Sequence, residues 1–181
     1  MRNQMKDTIS DAFLVLSQRK SIDKITVKDI VEYCGISRQS FYYHFQDIQE
    51  VIRWYLQRIE SDTSTRCQRA DTFEDEIRIL VEVFFANKKL LERLRDSQKR
   101  DFIEQYVTNV MQTYLRKVAR GIAASKPLNI RGKEADTLIR CFAFGLTGIL
   151  ITHGQTSAPD ANDLQSQILT VFRCFVSKLN R

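Results

Sequence analysis

One short stretch of the chain concentrates side chains that can hydrogen-bond to nucleic acid. Arg38 and Gln39 are of the types that bond the edges of guanine and adenine through two hydrogen bonds each. Serine and tyrosine hydroxyls, a lysine and the N-termini of helices suit phosphate oxygens instead. On this basis the residues expected to contact a duplex are Thr26, Lys28, Ser37, Arg38, Gln39, Ser40, Tyr42 and Tyr43.

The elements that would hold these side chains are marked by capping residues. Thr26 is suited to cap a second helix, and Asp29 stands three residues later, where it completes a capping box. Gly35 follows at a position that favours a left-handed turn and would end that helix. Ser37 caps a third helix, and Asp47 opens a fourth. The spacing therefore predicts two short helices separated by a tight glycine turn.

The third helix is predicted to have one buried and one exposed side. Phe41 and Phe45 lie four residues apart, so both can face the core. The side chains then left to point outward are Arg38, Gln39, Tyr42 and Tyr43. This arrangement meets the physical criteria for a helix-turn-helix whose last helix enters a major groove.

The same segment, TVKDIVEYCGISRQSFYYHF, resembles the N-terminal domain of the TetR family, and the likeness extends over residues 6–56. The resemblance implies a homodimer that binds a palindromic operator, and it adds His44 to the expected DNA contacts, near the backbone. An ordinary surface histidine is the alternative for His44. Family members often have a small residue where Gln39 stands and a lysine where Gln49 stands, so the chain departs from the pattern at those two contacts.

A second resemblance concerns the stretch Phe142 to Gly154, FAFGLTGILITHG. It is similar to a TetR subgroup that includes the activator of dihydroxyacetone kinase operons. That subgroup often has a tryptophan near Thr152 or His153, which this chain lacks.

Apolar residues recur at helical spacing through the rest of the chain, and no strand signal stands out. The predicted fold is all-α: a three-helix head and a C-terminal helical bundle, with about nine helices in all. One of these is a short helix around Leu90 and Leu94. We expect a helix-turn-helix domain over residues 1–46, followed over 47–181 by a connecting helix and a helical regulatory and dimerisation domain.

Aromatic and small residues of the C-terminal part could line a cavity for a small-molecule effector. Glycines inside a helix cost about 1 kcal/mol each, so Gly145 and Gly148 indicate a close approach, at a dimer interface or beside a cavity. Ordinary core is the alternative for the aromatic residues, Trp54 included. The candidate lining residues are Trp54, Phe85, Tyr106, Tyr114, Cys141, Phe144, Gly145, Gly148 and Thr152.

The last two helices are predicted to form the dimer interface. The final helix has an apolar stripe, and the helix before it is apolar on more than one face, so a second copy of the pair would supply the missing cover. The expected interface residues are Phe142, Leu146, Ile149, Leu150, Ile168, Val171, Phe172, Phe175, Val176 and Leu179.

The formal net charge is +6, but the excess lies after residue 60, so bulk charge does not single out the DNA-binding segment. The basic residues of one run are most simply a solvated face, with an anionic partner as the alternative: Lys88, Lys89, Arg93, Arg95, Lys99 and Arg100.

Other classes of protein find little support in the sequence. There is no nucleophile–base constellation and no phosphate-binding loop, so an enzyme is not expected. The four cysteines form no metal-ligand spacing and three lie on apolar faces, which predicts reduced buried thiols in a cytoplasmic protein without metal or cofactor. The longest apolar stretch, Cys141 to Ile151, is too short to span a bilayer. A transcriptional activator controlled by a partner protein, docked on the C-terminal domain, remains the alternative to a repressor with a small-molecule effector.

Overall fold

The computed structural model describes residues 2–125, 132–152 and 160–180, and these are helical nearly throughout. The helices are α1 (Arg2–Arg19), α2 (Val27–Cys34), α3 (Arg38–His44), α4 (Ile48–Cys67), α5 (Phe73–Arg95), α6 (Arg100–Ser125), α7 (Lys133–Thr152) and α8 (Ala161–Asn180), with a short 3₁₀ turn at Ile22–Lys24. The all-α prediction is confirmed.

The described part of the chain holds eight α-helices, one fewer than the sequence suggested. The short helix expected around Leu90 and Leu94 is the second half of α5, which runs without a break from Phe73 to Arg95. No glycine or proline interrupts this span.

The structure divides into two compact units, and α5 belongs to both. The first unit contains the chain up to Arg69 together with Asn87–Arg100, and the second contains Ala70–Ala86 and the chain from Asp101 onward. We call α5, α6 and the short turn that joins them the α5–α6 hairpin; its tip, residues 87–100, thus groups with the N-terminal helices. The division predicted at residue 46, between a DNA-binding and a regulatory domain, stays a prediction.

The first unit is organised around α1, which packs against α2, α3 and α4. Its apolar residues recur on one side of the helix, and the other three helices place their own apolar residues against them. The fully buried side chains of this core are Ile9, Phe13, Ile30, Phe41, Phe45, Val51 and Ile52. We call α1, α2 and α3 the head.

The second unit buries one side of each of its helices. On α8 the buried stripe consists of Leu164, Ile168, Phe172, Phe175 and Leu179, and α7 packs beside it. The opposite side of α7 is exposed, including Phe144 with 59% of its surface accessible. By length and composition the whole of α7 could cross a membrane, although only 22% of its most apolar window is buried here. Core helices of soluble proteins pass the same test, so this is weak evidence for a membrane span.

The cysteines differ from expectation. Cys67 is buried and Cys34 is half-buried, but Cys141 and Cys174 are exposed, and all four are free thiols. The expectation of mainly buried thiols is therefore wrong for α7 and α8, because these two residues stand on the outer side of their helices.

Candidate nucleic-acid interface

The first helix of the predicted motif begins with a complete capping box. The backbone N–H of Asp29 donates to Thr26 Oγ1 at 3.3 Å, and the backbone N–H of Thr26 donates to Asp29 Oδ2 at 2.7 Å. Thr26 has the extended backbone that an N-cap requires. The predicted cap is confirmed, and it fixes the start of α2.

Asp29 also joins α2 to the chain that precedes it. The Lys20 ammonium lies 2.6 Å from Asp29 Oδ2. Its hydrogen bond, followed by those from Thr26, holds the pKa of the Asp29 carboxyl far below its ordinary value. The carboxylate is therefore charged at neutral pH and ties α2 to the end of α1.

The turn between α2 and α3 depends on one glycine. Gly35 has φ 65° and ψ 32°, a left-handed conformation that other residues rarely adopt, and its N–H bonds back to α2. Two residues later Ser37 Oγ accepts the N–H of Ser40 at 3.0 Å and caps α3. Both predicted positions are confirmed, and together they set the direction in which α3 leaves the turn.

The two sides of α3 are as predicted. Phe41 and Phe45 are buried, with ring centroids 6.1 Å apart, and they anchor the helix on the core. Tyr42 and Tyr43 are 57% and 68% exposed. The exposed side of the helix also carries Arg38 and Gln39.

The other expected contacts occupy varied environments. Lys28 is exposed and lies 3.7 Å from Glu32, while the hydroxyls of Thr26 and Ser37 serve as caps. Ser40 is half-buried. His44 is half-buried beneath Tyr43, with ring centroids 5.0 Å apart, and its Nδ1 is buried without a hydrogen-bond partner.

One exposed aromatic residue of the head was not singled out from the sequence. Tyr33, on α2, has half of its surface accessible. Tyr33 stands outside the helical spacing of the apolar residues of α2, beside the exposed Glu32. That spacing alone could have indicated an aromatic side chain pointing outward there.

Trp54 on α4 lies against the head. Its Nε1–H donates to Asp7 Oδ1 at 3.0 Å, and its ring packs at 6.4 Å against Phe45. The Lys6 ammonium stands 4.6 Å from the Trp54 ring centroid. Arg58, one turn further on, bonds Asp7 at 3.2 Å and also pairs with Asp11. These contacts fit the alternative of ordinary packing at Trp54 better than a role in a ligand cavity.

The other candidate lining residues belong to the second unit. Phe85, Tyr106 and Tyr114 are half-buried, and the Tyr114 hydroxyl donates to Glu76 Oε2 at 2.5 Å. The Tyr114 ring packs at 5.5 Å against Phe172. The candidates on α7 are on its exposed side: Cys141, Phe144, Gly145, Gly148 and Thr152.

The expected interface residues all belong to the second unit, and half of them are buried in it. Those already buried by the unit's own helices are Leu146, Ile168, Phe172, Phe175 and Leu179. Those that are half-buried are Phe142, Ile149, Leu150, Val171 and Val176. The buried side chains contact the chain's own core, so among the expected residues the half-buried ones are those that keep surface for a second copy, and the interface itself stays a prediction.

The comparisons with known proteins agree with this geometry. Residues 9–53 match the family model for bacterial regulatory proteins of the tetR family. The fold resembles that of the dihydroxyacetone kinase operon activator DhaS, with a TM-score of 0.72 and 21% identity over 97% of this chain and 98% of that one. It also resembles a protein named as a TetR-family transcriptional regulator from Syntrophomonas wolfei, with a TM-score of 0.71 and 15% identity over 97% of each chain.

No curated protein matches the chain significantly in sequence. At these identities the two solved structures are evidence for the fold alone. The family match covers the capped helices and the turn of the head. Taken together, residues 9–53 form a helix-turn-helix that matches the tetR family of bacterial regulatory proteins, and the chain as a whole has a fold similar to those of these two solved structures.

Proposed function

We propose that the chain binds a palindromic operator as a homodimer, with α3 of each copy in a major groove. The observation that carries the proposal is the outward side of α3, which Phe41 and Phe45 hold away from the core. Arg38 and Gln39 would bond base edges, and Tyr42 and Tyr43 would bond phosphates. Two copies would read half-sites about one helical turn apart or somewhat more.

The remaining contacts would position the head on the DNA backbone. Lys28, Ser40 and His44 lie on or beside α2 and α3 and would reach phosphates, with Thr26 and Ser37 at the helix N-termini. Because Nδ1 of His44 is buried, Nε2 is the ring nitrogen left to make such a contact.

The dimer would use the exposed side of α7 rather than the buried stripe of α8. Four positions on this side follow helical spacing: Cys141, Phe144, Gly145 and Gly148. They combine one large apolar side chain with small ones that let two helices approach closely. An exposed phenylalanine on so apolar a helix needs cover, and a second copy of α7 and α8 supplies it symmetrically.

Regulation would act through the second unit. A small molecule held there, near Tyr106 or Tyr114, would change operator affinity only if it binds two states of the dimer unequally. In the repressor form of the proposal, this ligand releases DNA.

An activator is the second candidate. It is favoured by the name of one structural neighbour, a dihydroxyacetone kinase operon activator. In that form a partner protein docked on the second unit would take the place of the small molecule.

The proposal is tested by selecting binding sites from a pool of random duplexes at stated salt. We expect the selected sites to be palindromic. In an electrophoretic mobility shift measurement, two copies of the chain should bind each duplex. Recovery of sequences without two-fold symmetry would contradict the dimeric reading. Transcription from a promoter that carries the recovered site then distinguishes repression from activation.

A further inference from the structure

The C-terminal end of α1 is closed by a side chain from a distant part of the sequence. The last carbonyls of an α-helix have no partner within the helix. Here the Arg93 guanidinium, on α5, donates to the carbonyl oxygens of Ser17 and Gln18, the latter at 3.2 Å, and reaches that of Lys20 at 3.5 Å. A cation at this end also interacts favourably with the negative end of the helix dipole.

A second attachment joins the same two regions, and its hydrogen bonds run in the same direction. The Asp23 carboxylate, just after α1, accepts the backbone N–H of Gln98 at 3.1 and 3.2 Å to its two oxygens. Gln98 lies in the turn between α5 and α6. The head therefore accepts hydrogen bonds from Arg93 through its carbonyl oxygens and from the turn through the Asp23 carboxylate, and we call these two attachments the brace.

The brace is continuous with the start of the helix-turn-helix. Lys20, whose carbonyl faces Arg93, also pairs through its ammonium with Asp29. Asp29 completes the capping box of α2 with Thr26. Bonded groups thus run from α5 to the first turn of the DNA-reading motif.

The hairpin that carries the brace belongs to both units. Residues 87–100 group with the head, whereas Phe73–Ala86 of α5 and α6 from Asp101 onward group with the second unit. Because α5 is one helix from Phe73 to Arg95, its two halves are joined by continuous backbone hydrogen bonds and not by a loop.

We propose that Arg93 and Asp23 are positioning residues for DNA binding: they couple the head to the α5–α6 hairpin and so set the half-site spacing that the dimer accepts. The proposal rests on the proposed function. It gives Arg93, one member of the basic run, a structural role. That role differs from both earlier interpretations of the run, a solvated face and a site for an anionic partner.

The test measures operator spacing as well as affinity. The site recovered by the wild-type protein is made in three forms, with the original spacing and with one base pair added or removed between half-sites. Arg93→Ala should lower the discrimination between the original and altered spacings by about fivefold or more, the size of an ordinary coupling between sites. Simple destabilisation would weaken all three forms by the same factor.

Two further variants and one control sharpen the result. Arg93→Lys keeps the charge but not the planar fork, and should retain part of the discrimination. Asp23→Asn weakens the other attachment and decides the question if Arg93→Ala does not fold. Arg78→Ala is the matched control, since Arg78 lies on the same helix and pairs with Asp75 and Glu82 of α5. It should behave as wild type.

Wild-type discrimination in both Arg93→Ala and Asp23→Asn would overturn the proposal. Failure of the wild-type protein to select any sequence would instead contradict the proposed function. In that case amide hydrogen exchange tests the brace. Arg93→Ala should speed exchange at the backbone N–H groups of Lys24 and Ile25, which close the 3₁₀ turn after α1. Unchanged exchange at both amides would dismiss it.

Discussion

Thr26 and Asp29 satisfy each other's backbone at the start of α2, through hydrogen bonds of 3.3 Å to Thr26 Oγ1 and 2.7 Å to Asp29 Oδ2. Thr26→Ala removes one half of this box and should lower the free energy of unfolding by about 1 kcal/mol. Thr26→Ser keeps the hydroxyl and should cost less. Denaturant unfolding followed by circular dichroism measures both, and equal loss in the two variants would show that the hydroxyl is not what stabilises α2.

The same carboxylate makes stability depend on pH. Lys20 and Thr26 lower the pKa of Asp29 in the folded chain, so its stabilising effect is complete above the ordinary value of 3.8 and is lost as the pH falls below it. The difference in thermal midpoint between the wild-type protein and Asp29→Asn should therefore be constant near pH 7 and shrink below about pH 4. A difference that grows on acidification would contradict the sign of this effect.

DNA selectivity should separate Arg38 from Lys28. Arg38→Ala should weaken the preferred operator by about 1–3 kcal/mol and relax the choice of one base pair, because a base-edge contact is lost. Lys28→Ala should weaken all sequences by a similar factor and reduce the salt dependence, because a phosphate contact is lost. Site selection with each variant measures the difference. Unchanged base preference in Arg38→Ala would remove that residue from the base-reading set.

Oligomeric state should depend on the exposed side of α7. Phe144→Asp places a charge on the proposed seam without entering the core, since Phe144 is 59% exposed. Sedimentation should show monomer with a helical spectrum unchanged, and operator binding should be lost. Phe172→Asp is a poorer probe, because Phe172 is buried and the charge would disrupt folding.

The control for this experiment is Gln105→Asp, an exposed position on α6. It should sediment as the wild-type dimer does. A wild-type protein that is monomeric at micromolar concentration would contradict the proposed dimer altogether.

Trp54 should report on the contact between α4 and the head, since it is the only tryptophan of the chain. Asp7→Asn weakens the acceptor for Trp54 Nε1–H and for Arg58. We expect a loss of about 1 kcal/mol in the free energy of unfolding and a change in tryptophan emission. Glu32→Gln, which removes only the exposed pair with Lys28, serves as the control and should leave both unchanged. Emission identical to wild type in Asp7→Asn would show that the indole environment does not depend on this bond.

The head could be predicted closely from residue types because its signals are local. Thr26, Gly35 and Ser37 act on backbone groups within a few residues, and Phe41 with Phe45 decides which side of α3 is buried. Such relations depend only on the spacing of residues along one helix or turn. The all-α class follows in the same way from helical periodicity.

The roles assigned to α7 and α8 needed the tertiary structure. Periodicity showed that both helices are apolar, but which apolar side meets the chain's own core depends on packing partners far away in sequence. Leu146 and Phe172 are buried within the chain and Phe144 is not. The hydrophobicity of these side chains does not predict which of them is buried. Arg93 is the clearest case, because a basic residue in a basic run closes a helix end more than seventy residues earlier. What the sequence determined was local backbone chemistry, and what only the tertiary structure decided was the pairing of groups that the chain brings together from a distance.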